Sequence, residues 1–134
     1  MIYRYLLDTN IVSDLVKYPR GRIAEYIAEV GQNNVCTSII VRCELKFGAL
    51  KKDSLRLLEQ VDRIFTILPV LSLRSPIELY YATIRTHLER SGTPIGNNDL
   101  LIAAHARTFN LILVTNNTRE FDRVPNLTVG NWLQ

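Results

Sequence analysis

Gly92-Thr-Pro-Ile-Gly-Asn-Asn-Asp-Leu-Leu-Ile-Ala-Ala-His-Ala106 is the stretch that decides how the rest of the chain must fold. Gly92, Pro94 and Gly96 break regular structure, Asn97 or Asn98 is able to cap, and Leu100 to Ala106 follows as an apolar run interrupted only by His105. A helix that is apolar all round belongs inside, packed against a sheet. Its lone acid, Asp99, falls in the first turn. Taken alone, that carboxylate only complements the helix dipole, worth about 0.3–1 kcal/mol. Other acids at the ends of buried elements would give it a different meaning.

Immediately downstream, Asn110 turns the chain into Leu111-Ile-Leu-Val-Thr115, whose four consecutive aliphatics predict a central parallel strand covered on both faces. Asn116, Asn117, Arg119 and Glu120 follow at once, and Leu127 to Val129 reads as a short last strand with Trp132 tucking down the end. Upstream, Ser75-Pro76 is placed to start a helix in the N-cap and N1 positions, running past Tyr80, Ile84 and Leu88 to Gly92. Phe65 to Leu73, interrupted by Pro69, offers at most an edge strand. Asp53 to Ile64 reads as an amphipathic helix with Lys51, Lys52, Arg56, Glu59 and Arg63 toward solvent.

The amino-terminal third repeats the strand-then-helix pattern. Ile2 to Leu7 favours a strand and stops at Asp8-Thr9-Asn10, before Ile11 to Val16 resumes with helical spacing. Asp8 thus falls at the carboxyl end of a strand, where open α/β sheets bind ligands, although capping the next helix would also account for it. Ile23 to Val30 is a second amphipathic helix ended by Gly31. Val35-Cys-Thr37 is another strand, and Ser38 caps a helix to Leu50 that is expected to be substantially buried. Glu44 lies in a row with Ile40, Val41, Phe47 and Gly48, and an acid beside an apolar face is costly unless paired, protonated or metal-bound. Gly48 suggests a close approach by a neighbour.

Composition narrows the class. The chain has 134 residues, 47% of them hydrophobic, enough for one domain burying roughly 70% of its unfolded surface. Cys36 and Cys43 match no zinc spacing and are expected to be core thiols in a reducing interior. The beginning is too short and too soon charged for a signal peptide, and no run approaches the roughly 20 apolar residues of a membrane span, so a soluble cytoplasmic protein is expected. Sixteen Lys and Arg against 13 Asp and Glu give +3, which permits an anionic partner without demonstrating one.

Alternating strands and helices make a three-layer α/β/α sandwich with a central, mainly parallel sheet the economical fold. In it Asp8, Glu44, Asp99 and Glu120 are able to meet at the carboxyl edge. Acids gathered there without His or Cys form a hard oxygen site suited to magnesium, with manganese able to substitute. Two carboxylates about 4 Å apart repel by roughly 4 kcal/mol at an effective dielectric near 20, and a divalent cation removes that conflict. The alternative is that each acid forms its own salt bridge with one of the basic side chains.

Four ordered blocks carry a resemblance: Leu-Leu-Asp8-Thr-Asn10; Ser38 through Glu44-Leu with Phe47-Gly-Ala49; Gly92 to His105; and Val114-Thr-Asn-Asn-x-Arg-Glu-Phe-x-Arg-Val-Pro125. Together they span nearly the whole chain, residues 1–134, and resemble the PIN-domain proteins, specifically the VapC-type toxin ribonucleases of bacterial toxin–antitoxin pairs. The resemblance implies a metal-binding triad of Asp8, Glu44 and Asp99. Many PIN domains have Asp where this chain has Asn117, and Glu120 would supply that charge. It also implies an endoribonuclease that uses magnesium-activated water on RNA, with transfer RNA as the suggested target, a cognate antitoxin that blocks the site, and a homodimer. Asn10, Ser38, Thr115, Asn116 and Asn117 are then expected near the substrate, with Arg42, Lys46, Arg119 and Arg123 as phosphate contacts. A non-cutting PIN-like module that binds RNA or protein is the competing reading, and the retained acids weigh against it. A small-molecule phosphatase would need a Gly-rich phosphate loop that is absent here.

Overall fold

The computed structural model describes residues 2–134. Five short strands form one parallel sheet: β1 (Tyr5–Leu7), β2 (Val35–Ser38), β3 (Val70–Leu71), β4 (Ile112–Val114) and β5 (Val129–Gly130), in the order β3-β2-β1-β4-β5. Seven helices connect them: α1 (Thr9–Lys17), α2 (Arg22–Val30), α3 (Ile39–Lys51), α4 (Leu55–Ile67), α5 (Ile77–Arg90), α6 (Asn97–Thr108) and α7 (Thr118–Phe121). Parallel pairing requires these crossovers, and their right-handed sense places α1 to α4 on one face and α5 to α7 on the other. The packing agrees, since α4 rests on α1 and α3 while α5 rests on α6. This is the three-layer α/β/α sandwich.

From β1 the order runs outward to β2 and β3, and from β4 it runs the other way to β5. The direction of winding therefore reverses between β1 and β4, and a crevice opens above the carboxyl ends of those two strands. Leu6, Leu7, Leu113 and Val114 are wholly buried in this central pair, and Ile102, Ala103, Ala104 and Ala106 of α6 are equally enclosed. The small alanines let α6 lie close to its neighbours. Trp132 closes the far edge, stacked on Tyr26 at a centroid distance of 5.0 Å.

Several local expectations are corrected. Cys36 is buried, and enclosure pushes its thiol up to about 12, but Cys43 is exposed. α3 is less enclosed than its apolar content implied, with Phe47 and Leu50 more than half exposed. No neighbour approaches Gly48 within 4 Å of where a Cβ would stand. α4 starts at Leu55 behind a Ser54 cap and runs to Ile67 rather than spanning Asp53 to Ile64, since Asp53 takes a positive φ of 51° and lies outside the helix. Pro76 rather than Ser75 holds the N-cap position of α5, and the Ser75 hydroxyl instead bonds Glu78. At α6 the cap position belongs to Gly96, so Asn97 and Asn98 are already helical. Among the described residues no helix is long and apolar enough to cross a membrane.

Candidate active site

Asp8 stands where β1 gives way to α1, in the N-cap position, yet its side chain does not cap the helix. Its Oδ2 accepts a 2.7 Å hydrogen bond from the Thr115 hydroxyl at the end of β4. Thr115 in turn accepts the Asn117 amide at 3.0 Å, so one buried hydroxyl spans the crevice between the two central strands. The other oxygen, Oδ1, is buried with no hydrogen-bond partner. Leaving such an acceptor unsatisfied costs about 1–3 kcal/mol, and more for a charged group. Burial raises the Asp8 carboxyl above its ordinary range, the Thr115 and Thr9 bonds pull it back, and the charges of Glu44 and Glu120 push it up again.

The other three acids arrive from three separate helices. Ser38 caps α3 by accepting the Ile40 amide, which starts the helix that carries Glu44. Glu44 Oε1 then accepts the Thr9 hydroxyl at 2.6 Å, one residue past Asp8. Asp99 lies in the first turn of α6, and Glu120 lies in α7. Glu120 is oriented by the Gly96 amide at 3.3 Å and by the Asn117 side-chain amide. Asp99 is pushed up to about 7 by partial burial, by a hydrogen bond to Glu120, and by the charges of Glu120, Asp8 and Glu44. Carboxylates far apart in sequence thus act on one another at a single edge of the sheet.

Neither of the two ion pairs found among the described residues, Lys46–Asp62 and Arg85–Glu89, involves these four acids. The alternative of separate salt bridges is therefore set aside. The donor set is all carboxylate oxygen, which suits magnesium or manganese, and the orphaned Asp8 oxygen offers one unused lone-pair site. Among the described residues no group of three His, Cys, Asp and Glu side chains is gathered tightly enough to hold an ion as it stands. Glu44 is bonded to Thr9 and Glu120 to Asn117, so both carboxylates are held by neighbours rather than turned to a common centre. The donor chemistry suits such an ion, with the orphaned Asp8 Oδ1 as the one buried oxygen left free for it among the described residues.

The remaining candidates divide by exposure. Ser38 and Thr115 are wholly buried, which corrects them from substrate contacts to groups that position α3 and Asp8. Asn10 accepts the Asn116 amide at 3.2 Å, and Asn116 in turn accepts from Asn131, so these residues brace the rim. Lys46 is paired with Asp62 at 3.2 Å, and Arg42 lies over the Phe65 ring, which turns both toward α4 rather than toward a phosphate. Arg119 is exposed, and Arg123 reaches the Pro94 carbonyl at 3.4 Å. The chain between Gly96 and Glu120 thus forms one wall of the crevice.

Comparison with known proteins adds to this geometry. The PIN domain family model matches residues 5–127. The chain belongs to the PIN-domain family. Within it, the VapC group supplies the similar proteins: Ribonuclease VapC2 of Rickettsia felis is 40% identical over 96% of this chain and 97% of its own length. The tRNA(fMet)-specific endonuclease VapC of Shigella flexneri is 35% identical over 96% of this chain and 98% of its own. In three dimensions, the crystal structure of VapBC2 from Rickettsia felis bound to a DNA fragment from their promoter superposes with a TM-score of 0.89, at 38% identity over 98% of this chain and 99% of that one. The PIN fold and the sandwich read from the sequence are therefore the same architecture.

Proposed function

We propose that this chain is a divalent-metal-dependent endoribonuclease and the toxin of a toxin–antitoxin pair, with the whole of residues 1–134 forming one nuclease unit. The observation that carries the reading is the convergence of Asp8, Glu44, Asp99 and Glu120 at the reversal of the sheet, with no ion pair to any of them among the described residues. Asp8, Glu44 and Asp99 would hold magnesium, or manganese in its place, and Glu120 would complete the charge where Asn117 replaces an acid. When bound, such an ion supplies positive charge against the scissile phosphate and activates water for attack on phosphorus.

The residues of the chain do the rest. Thr115 fixes the rotamer of Asp8, and Thr9 holds Glu44 beside it. Asp99, pushed up to about 7 and hydrogen-bonded to Glu120, gives up its proton as positive charge arrives. None of these groups is a nucleophile activated by a neighbouring base, so a covalent intermediate with the protein has no support here.

Relatives named ribonucleases and endonucleases support RNA as the substrate, and the name of the Shigella flexneri relative favours transfer RNA. The VapBC complex from Rickettsia felis supports an antitoxin partner that masks the site, and a homodimer in the cytoplasm completes the reading. The test is incubation of the purified chain with bulk transfer RNA and with messenger RNA, in magnesium, manganese or EDTA. Endonucleolytic products that need the metal are expected. RNA left intact under all metal conditions, by protein shown to be folded, would refute the proposal.

A further inference from the structure

A groove of about 560 Å³ lies between α1, α3 and α4 and has in its lining Glu44, the acid that Thr9 ties to the candidate site. Its walls carry Lys17 from the last turn of α1, Lys52 from the end of α3 and Arg56 from the first turn of α4. All three are exposed, and none belongs to either ion pair found among the described residues. Glu44 is the sole carboxylate among the lining residues. The Ser54 hydroxyl also lines the groove, and it accepts the Leu57 amide, which leaves its own proton free to donate. Gly48 keeps the floor open, with nothing within 4 Å of a Cβ built there.

A cluster of acids repels a polyanion, so a ribonuclease of this kind needs cations that hold the strand on its way to the cut. We infer that this groove holds the sugar–phosphate backbone of the single RNA strand flanking the scissile phosphate, with Lys17, Lys52 and Arg56 each contacting a phosphate. The inference rests on the ribonuclease reading above and extends it beyond the acid cluster. An acidic protein segment is the other occupant the charge would suit. RNA is favoured because Glu44, one of the acids where the strand would be cut, lines the groove, whereas an acidic segment reaching Glu44 would meet like charge. The exposed basic side chains spaced along three helices match a repeating phosphate better than a single carboxylate.

The experiment measures binding of a labelled, mixed-sequence, single-stranded RNA of about twelve nucleotides to the full chain, in EDTA so that nothing is cut, across a salt series. The combined substitution Lys17→Glu, Lys52→Glu and Arg56→Glu is expected to weaken binding at least tenfold at low salt. It should also make the log–log salt slope shallower by about 2, since each phosphate contact on a single strand contributes about 0.7. Gly48→Ala, whose Cβ meets nothing within 4 Å, should bind as wild type, while Gly48→Leu should weaken binding by filling the floor. Arg90→Glu on α5, outside the groove, is the charge control and should bind as wild type. Unchanged affinity and slope in the triple variant overturn the inference, as does an equal loss in Arg90→Glu. Retained RNA binding with lost binding of a polyglutamate peptide would reassign the groove to an acidic protein segment and overturn it too. Failure of the wild-type chain to cut RNA in magnesium would instead count against the ribonuclease reading, because binding is measured without cleavage.

Discussion

His105 Nδ1 lies 2.7 Å from the Ser38 hydroxyl, and this buried contact joins α6, which carries Asp99, to the cap of α3, which carries Glu44. The Ser38 hydroxyl already accepts the Ile40 amide and keeps both a lone pair and a proton for the ring, so the tautomer of His105 sets which of the two donates. Burial lowers the His105 pKa, only partly offset by the Ser72 backbone. The ring is therefore a neutral strut. His105→Ala removes a wholly enclosed ring and takes away the ring partner of the buried Ser38 hydroxyl, and should cost about 2–4 kcal/mol of stability. Urea unfolding followed by circular dichroism reads it; a loss under about 1 kcal/mol would show that the strut carries little.

Thr115→Val tests the hydroxyl between the central strands. The substitution keeps the shape but deprives Asp8 of its donor and the Asn117 amide of its acceptor, both in the crevice. About 1–3 kcal/mol of stability should be lost. Catalysis should fall as well, because Asp8 is no longer held in one rotamer. Thr115→Ser restores the hydroxyl and should recover most of the activity, whereas equal activity in all three proteins would sever Thr115 from the site.

Much of this arrangement could be read from the chain because strand ends announce themselves. Leu6-Leu7 breaking at Asp8, and Leu113-Val114 breaking at Thr115, fix where the crevice opens, and the apolar run after Asp99 fixes α6 in the interior. What stayed hidden depends on which way side chains turn. Nothing in the spacing of Lys46 shows that it meets Asp62 from α4, 16 residues away. Lys52 and Arg56 read as solvent-facing cations of one amphipathic helix, and only the packing of α1, α3 and α4 puts them along one groove with Lys17. Ser38 and Thr115 have the residue types of substrate contacts, and only burial shows that they serve other protein groups. Cys43 fell on the wrong side for a similar reason: the apolar residues of α3 run around the helix, and so did not mark the face that is covered.

Stability should also depend on pH through Asp99. In the folded, metal-free chain its pKa is near 7, against an ordinary 3.8 when unfolded. Between those values the unfolded chain has released a proton that the folded one keeps, so stability falls as pH rises from about 4 to 7 and stays level above. Asp8, also raised, adds in the same direction. His105 acts oppositely: its folded pKa is depressed, so stability is lost as pH falls below its ordinary 6.5. Asp99→Asn should therefore be more stable than wild type at about pH 8 in EDTA. Solvent screening at this half-exposed carboxyl leaves on the order of 1 kcal/mol, or a few degrees in Tm. The advantage should vanish near pH 4, and thermal melts across that range that keep a constant gap would contradict the assigned cause.

The same crowding makes the response to metal the most direct measure of the site. An ion that binds only the folded chain stabilises it by about 2.7 kcal/mol at a hundred times its Kd. Magnesium or manganese should therefore raise the Tm of wild type, more at about pH 8 than near pH 5, since protons compete for the same oxygens. Asp8→Asn and Asp99→Asn should each abolish most of that rise and cut ribonuclease activity at least about a hundredfold. Glu120→Gln should keep part of both, because Glu120 adds charge beside Asp99 from a helix fastened to Gly96. Because Asp99→Asn also relieves repulsion, it separates the two effects: the metal-free protein becomes more stable while the metal-loaded one gains nothing. A full metal-induced rise in both Asp variants would place the ion elsewhere and leave the four acids without the role assigned to them.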